Sequence, residues 1–450
     1  MKKIVLSLAV LTATVALQAE DTALLAGGEV SGQVKVMHIL SDKTNGWAPE
    51  TGSGYLGTLK YVTPNLFTEG LKAGAAFYIN GDTGLTDWDN TATNKPAQGM
   101  FSGSDTIGTG SGGDTATLLG QAYVEYKSSM FDATVGRQIL NTPLTKIKWS
   151  LMPNFYEAAV GTIKPVKGLS LTALHISAMS YGSRSATDFM LIGENTGTAG
   201  VIGKTVQQGG TREQAKFINL GTGAGVAETN GMTAFNVTYK MGKNLKLSVW
   251  DYIADDISNT IYADVVYKIP VMKGTKLALS AQYLTQSEEG AQLAGTMDFS
   301  MYGAKAKVGN KKWSAYLAYN SSDDSTATRS GFHNAFGADP AYTSSLFSRN
   351  AYREDVSAYK IGGHYTIMKG LKIIASHADY GESKTLASGA GLAAQAATND
   401  ATETDIIIAY KPTKAWMLKI FNAIRKSEYS DATALGREMN HFRVVASYTF

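Results

Sequence analysis

Apolar and polar positions alternate along this chain with a period of two, and the pattern returns from one end of it to the other. Leu71, Ala73, Ala75, Phe77 and Ile79 share a parity, as do Ala122, Val124 and Tyr126. Phe235, Val237 and Tyr239 repeat it, then Ile261, Ala263, Val265 and Tyr267, then Trp313, Ala315, Leu317 and Tyr319. Tyr359, Ile361, Gly363 and Tyr365 continue it, then Trp416, Leu418 and Ile420. The residues between are mostly Lys, Ser, Thr, Gln, Gly or Ala. Successive side chains of a strand point to opposite faces, so the pattern predicts strands with one apolar face. No segment carries a convincing i, i+3, i+4 apolar spacing. In the last ten residues Phe442, Val444, Ala446, Tyr448 and Phe450 fall on one face. Arg443, Ser447 and Thr449 fall on the other, with Val445 the exception.

Strands of this kind suit the wall of an outer-membrane β-barrel, with lipid outside and water inside. About eighteen are predicted, near 29–40, 52–62, 71–81, 117–127, 131–139, 157–164, 169–178, 231–240, 244–253, 259–269, 275–285, 298–308, 311–320, 355–366, 371–380, 404–410, 414–425 and 438–450. The fold class is all-β, a transmembrane antiparallel up-and-down barrel. The connections alternate in length. Tight ones such as Met241-Gly242-Lys243, Gly309-Asn310 and Met368-Lys369-Gly370 read as periplasmic turns. Long ones rich in Gly, Ser, Thr, Asp and Asn, at 82–116, 179–230, 286–297, 321–354, 381–403 and 426–437, read as outer loops.

Two smaller recurrences refine this picture. Glu69-Gly70-Leu71-Lys72, Lys167-Gly168-Leu169-Ser170, Lys243-Asn244-Leu245-Lys246 and Lys369-Gly370-Leu371-Lys372 each open an ascending strand. Gly and Asn accept the positive φ of a tight turn. Descending strands end on an outward tyrosine: Tyr61, Tyr126, Tyr239, Tyr267, Tyr365, Tyr410 and Tyr448, four of them followed by lysine. Tyrosine favours the membrane–water interface, so these predict a girdle at the periplasmic edge. The competing reading, that tyrosine is simply a good strand residue, predicts scatter along the strands instead.

Composition narrows the class further. Met1-Lys2-Lys3, an apolar run to Leu17 and a small residue at Ala19 read as a secretory leader over 1–19, followed by a single barrel domain over 20–450. That run is too short for an ordinary membrane-spanning helix. There is no cysteine, which removes disulfides, thiolate metal sites and cysteine nucleophiles. A formal charge of +3 gives no argument for nucleic acid.

Little in the chain points to chemistry. Gly108 to Gly113 matches G-x-G-x-x-G, but without a strand before it and a helix after it a glycine-rich loop is the better reading. Gly203-Lys204-Thr205 lacks the correctly spaced glycine of a phosphate-binding loop. Asp87-Trp88-Asp89-Asn90 lacks the remaining ligands of a calcium loop. The six histidines show no metal-ligand spacing, and no G-x-S-x-G occurs. No catalytic residue, metal site or cofactor is assigned.

The inward parity carries more. It holds Lys246, Lys305, Lys307, Lys372, Lys419, Arg425 and Arg443, with Glu29, Glu125 and Asp264 the clearest acids. A basic lining would attract anions and hand carboxylates along the pore. Lysines near strand ends could equally be meeting water, and the two readings weigh about evenly.

Gly136-Arg137-Gln138, then Thr142-Pro143-Leu144, then Leu151-Met152-Pro153-Asn154-Phe155-Tyr156-Glu157-Ala158 resembles the OprD-type outer-membrane porin family. The resemblance implies an eighteen-stranded barrel whose third outer loop folds inward, and a ladder of basic residues guiding carboxylate-bearing solutes. That loop maps to 140–156, with Arg137, Lys146, Lys148 and Glu157 as its charged lining. Lys146-Ile147-Lys148-Trp149-Ser150 stands where the family usually carries an acidic residue and then arginine, so the choice of solute stays open. The resemblance also implies that Phe450 is the terminal signal read by the barrel assembly machinery. The expected function is passive diffusion of small hydrophilic solutes and ions across the outer membrane of a Gram-negative bacterium. A channel selective for carboxylates or amino acids is the alternative. A surface adhesin and an outer-membrane hydrolase are the readings from other classes. The expected partners are those solutes and membrane lipid; assembly as a homotrimer stays open.

Overall fold

The structure, a computed structural model, describes residues 27–43, 49–85, 95–96, 115–146, 150–182, 216–325, 327, 331–334, 336–348, 350, 353–384, 398–429 and 437–450. The leader, the glycine run 108–113, the acidic run 87–90, the 203–205 segment and Lys148 lie outside them.

Eighteen strands form the wall: β1 Glu29–Lys43, β2 Glu50–Val62, β3 Leu71–Asp82, β4 Ala116–Lys127, β5 Phe131–Gln138, β6 Phe155–Ile163, β7 Leu169–Ser180, β8 Met232–Met241 and β9 Leu245–Ala254. They continue as β10 Ser258–Met272, β11 Thr275–Glu288, β12 Asp298–Gly309, β13 Trp313–Ser322, β14 Ser357–Met368, β15 Leu371–Lys384, β16 Thr398–Tyr410, β17 Trp416–Tyr429 and β18 Arg437–Thr449. Each pairs antiparallel with the next, and β18 returns to β1 from Gln33 opposite Thr449 to Lys43 opposite Met439. Gly32 and Phe450 exchange backbone hydrogen bonds of 2.9 and 3.0 Å just beyond that ladder. The barrel is closed and has no free edge, which satisfies backbone groups that lipid cannot. Two-residue pieces at 95–96 and 218–219 and a helix of one turn, Leu220–Gly223, belong to the long connections.

The parity read from the sequence is the parity of the wall. Val135, Ile361 and Leu317 are 59%, 61% and 57% exposed on the outside, while their inward neighbours on the lumen side are covered. Val445, the apolar residue on a polar face, packs inside with Met37, Ile39 and Leu56. Strand ends differ from the expectation mainly at β16, which begins at Thr398 rather than near 404. Its first turns carry Asp400, Thr402 and Thr404 outside and Glu403 inside, so no apolar face announces them.

The Gly-Leu turns are tied to the strand next door in one repeated way. The N–H groups of Lys127, Lys240, Lys268 and Lys411 donate to the carbonyls of Gly70, Gly168, Asn244 and Gly370 at 3.0, 2.8, 2.8 and 2.9 Å. Gly370 has φ +85°, and a Cβ there would lie 2.3 Å from the Lys411 carbonyl oxygen. Only glycine fits both the backbone and the space.

Candidate channel constriction

The described parts of the connection after β5, 139–146 and 150–154, lie in the lumen. Leu140 and Leu144 join a cluster with Leu174, Ile176 and Tyr252 of the inner wall. Leu151 and Met152 are fully buried against Met37, Ile39, Leu56 and Leu118. Lys35 of β1 donates to the Leu151 carbonyl at 3.1 Å. Attached to β7–β9 at one end and to β1–β4 at the other, the segment crosses the pore.

A second connection enters beside it. The sequence reading placed 321–354 with the outer loops; the structure folds its described part, 331–348, against the inner wall. Gln286 donates to the His333 carbonyl at 2.8 Å and accepts the His333 N–H at 2.9 Å. Gln282 accepts the Tyr342 N–H at 3.0 Å and donates to the Pro340 carbonyl at 3.3 Å. Asn320 accepts the Thr343 N–H at 3.1 Å, and Glu403 accepts the N–H groups of Phe347 and Ser348. Lys360 donates to the Ser344 carbonyl and the Ser345 hydroxyl, both at 2.8 Å. The two inward segments are joined to each other, since Ala338 N–H and the Asn334 amide donate to the Leu144 carbonyl at 2.9 Å each. The physical reason for the correction is burial. Phe332, Phe336, Leu346 and Phe347 are all buried, and a loop carrying them does not remain in water. Those residues, and the amides at lumen-facing strand positions, were the signals available in the sequence.

Between the two segments and the wall lies a cavity of about 630 Å³. Asn141, Thr142 and Lys146 line it from the first segment, and Asp339 and Tyr342 from the second. Lys246, Trp250, Tyr262 and Asp264 line it from β9 and β10, and Lys305, Tyr316 and Lys360 from β12 to β14. Lys246 lies 3.7 Å from Asp264. The Lys305 ammonium stands 4.3 Å from the Tyr316 ring centroid and 5.8 Å from that of Tyr342. Asp339 is occupied locally, accepting the Ala341 N–H at 2.9 Å and the Ser344 hydroxyl at 2.7 Å. Burial, reinforced by the Asp264 charge, pushes the Tyr342 hydroxyl pKa up, so it is a neutral donor, here to the Ala281 carbonyl at 3.2 Å. The lining is thus basic and aromatic on one side and polar on the other.

The sequence-derived residues distribute unevenly around this space. Lys146, Lys246 and Lys305 line the cavity. Arg137 and Glu157 do not: they pair with each other at 2.8 Å, and the Arg137 guanidinium stacks 4.3 Å from the Phe217 ring centroid. Arg137 follows Val135 on the outward parity of β5, which explains its absence from the lining. Lys307, Lys372 and Lys419 have inward parity close to the turn ends of β12, β15 and β17. Arg425 and Arg443 point inward but are buried beneath the second segment, a correction to their place in an open ladder. Arg425 donates to the Ser348 hydroxyl at 2.6 Å, and Arg443 stacks 4.8 Å from the Phe421 ring centroid. Glu403 and Asp405 are further inward acids; Glu403 lies before the expected start of its strand, and Asp405 alternates inward between Thr404 and Ile406.

Tyr61, Tyr126, Tyr239, Tyr267, Tyr365, Tyr410 and Tyr448 stand on the outward parity near the turn ends of their strands. Trp416 and Tyr448 rings are 5.0 Å apart, and the Phe450 ring covers Gly32. Among the described residues no cluster of His, Asp and Glu is arranged to hold a metal ion.

Comparison with known proteins agrees with this geometry. No curated protein matches the chain by sequence. The structure superimposes on OccK1 (OpdK) of Pseudomonas aeruginosa with a TM-score of 0.69 at 13% identity, over 95% of this chain and 100% of that one. OccK9 (OpdG) of the same organism gives 0.72 at 14%, over 95% and 100%, and Acinetobacter baumannii OccAB2 gives 0.71 at 15%, over 96% and 99%. The family described as outer membrane porin, OprD family, matches residues 97–450. An eighteen-stranded barrel narrowed by inward segments, together with that match over most of its length, makes this chain a member of the OprD family of outer membrane porins.

Proposed function

We propose that this porin favours small carboxylates, flat ones above all, and that selection occurs in the cavity between the two inward segments. The observation that carries the reading is Lys305, whose ammonium is held over Tyr316 and beside Tyr342 in that lining. The rings fix the cation and offer a face to a planar solute, while Lys246 and Lys146 extend positive charge along the same space. A carboxylate about 5 Å from one such charge, at an effective dielectric near 20, gains about 3 kcal/mol before salt screening. Such attraction is strong enough to admit a solute and weak enough, at several successive cations, to release it. A structure of OpdK was solved with vanillate, an aromatic carboxylate, which supports the same chemistry here by analogy. The test is liposome swelling with benzoate, benzylamine and benzyl alcohol. Benzoate should enter fastest, and Lys305→Gln should remove most of its lead. Equal rates for the three in the wild type would refute the selectivity and leave a general diffusion pore.

A further inference from the structure

The second inward segment comes down on a pair of acids. Glu403 and Asp405 lie two positions apart on the inner face of β16, only 1% and 5% exposed. Glu403 accepts the Phe347 N–H at 3.0 Å and the Ser348 N–H, one on each carboxylate oxygen. Asp405 stands within hydrogen-bonding range of Glu403, and its Oδ1 is buried without a hydrogen-bond partner. Its Oδ2 receives a long contact from the Ser376 hydroxyl, 3.5 Å, and lies 4.0 Å from the Lys360 ammonium. The cations beside the pair make short hydrogen bonds to the segment. Lys360 of β14 donates to Ser344 and Ser345, and Arg425 of β17, in register with Glu403, donates to Ser348. From β15 the Tyr380 hydroxyl donates to the Thr343 and Ser348 carbonyls at 2.8 and 2.7 Å, and β13 brings the Tyr316 hydroxyl near Asp405. From β18, His441 and Arg443 pack on the Phe347 ring, with Glu50 of β2 in range of Arg443. Residues 343–348 themselves carry no charged side chain.

Two ionised carboxylates can only accept hydrogen bonds, so neither satisfies the other. Out of water they also repel each other. One proton on Asp405 removes both difficulties. Its Oδ1 becomes a donor to Glu403, while Glu403 keeps its charge for the Phe347 and Ser348 N–H groups. We infer that this shared proton is a latch, which holds residues 343–348 down on the wall and whose loss lifts them and widens the channel. Ser344, Ser345 and Leu346 line the cavity, so their movement changes its width. Losing the proton leaves two negative charges side by side in a buried place, and water reaches them only when the segment rises. The closed form therefore binds one proton more than the open form. Its advantage is present at low pH and is lost as pH rises. The latch acts on pore width and is independent of the solute reading.

The test is single-channel recording of the purified full-length protein in planar bilayers from pH 5 to pH 9. At pH 5 the wild type should stay at its small conductance level. Once the proton leaves, the ratio of time in a larger, noisier level to time in the small one should rise by up to about tenfold per pH unit. Asp405→Asn puts a permanent amide donor in place of the proton and leaves Glu403 charged, so this variant should stay at the small level throughout. Any change of charge on the pore lysines alters ion selectivity in both proteins alike, so the ratio of levels is the readout. A ratio that does not vary with pH in the wild type overturns the inference, and so does a variant that follows the wild type. Opening at acid pH instead would mean that protonation of Glu403 frees Phe347 and Ser348, and overturns it as well. Hydrogen exchange on the wild type gives an answer even if the variant fails to insert. Protection of residues 343–348, taken relative to strand β12 at the same pH, should fall as pH rises; constant relative protection overturns the latch.

Discussion

Arg443 shows how far one side chain's role depends on what lies above it. Alternation directs it inward, and the structure agrees, but its guanidinium is walled in. It stacks on Phe421, lies 6.0 Å from the Phe347 ring centroid and donates to His441 Nε2 at 3.1 Å. Lys305 has the same parity on β12 and meets the open cavity instead. The two should respond differently to truncation. Arg443→Ala removes buried packing and strips His441 of a partner, which costs about 2–4 kcal/mol. Its barrel should unfold at a lower temperature on heat-modifiability gels. Lys305→Gln should leave that temperature unchanged and shift the reversal potential toward cations in a salt gradient. A reversal-potential shift for Arg443→Ala as large as that of Lys305→Gln would return Arg443 to the pore lining.

At the level of the element, the second inward segment is the least autonomous part of the fold. It carries only short-range turns of its own, and side chains of β11, β13, β14 and β16 hold its backbone in place. Gln282 and Gln286 each satisfy one N–H and one carbonyl, as a neighbouring strand would. Each net hydrogen bond of this sort is worth about 1 kcal/mol. With four such bonds lost, the double variant Gln282→Ala, Gln286→Ala should raise the open population of the segment by about three orders of magnitude. Single-channel recordings should show larger and noisier conductance from an intact barrel. Unchanged conductance would mean that the apolar contacts of Phe332 and Phe336 hold the segment unaided. The turn elements make the opposite case, because they are locked locally. Gly370→Ala forces a side chain onto a backbone at φ +85° and against the Lys411 carbonyl, and should cost about 1–2 kcal/mol, read as a lower unfolding temperature.

The whole molecule has two chemically distinct ends. Its turns are short and lysine-rich, while the connections at its other end carry acids such as Asp255, Asp256, Glu289 and Asp323. In an outer-membrane porin the short turns face the periplasm. Protease added to intact cells should cleave within 179–230, the longest connection, and spare Lys369-Gly370. Residues 331–348 should also survive despite lying between β13 and β14, because the barrel wall shields them. Cleavage at Lys369-Gly370 in intact cells would invert the orientation; rapid cleavage at 331–348 would place the second segment outside the lumen.

Much of this was legible in the sequence for one reason. Lipid on one side and water on the other act on each wall residue separately, so Val135, Ile361 and Leu317 report their face without reference to any partner. Strand number, parity, tight turns and the closing strand with Phe450 follow from such local signals. The region 398–403 escaped because polar residues occupy both of its faces. The constriction was only half legible. The family-like motif around 136–158 marked the first inward segment, but the second carries only scattered apolar residues, Phe332, Phe336, Leu346 and Phe347, with no motif or period. Its position rests on Gln286 meeting His333, Asn334 meeting Leu144 and Tyr156 meeting Phe336, contacts between residues 47, 190 and 180 positions apart. Parity can say that Lys305, Arg425 and Arg443 all point inward. Which of them meets water is decided by where a distant loop comes to rest, and that depends on burying Phe332, Phe336 and Phe347 against a wall that exists only once the barrel has closed.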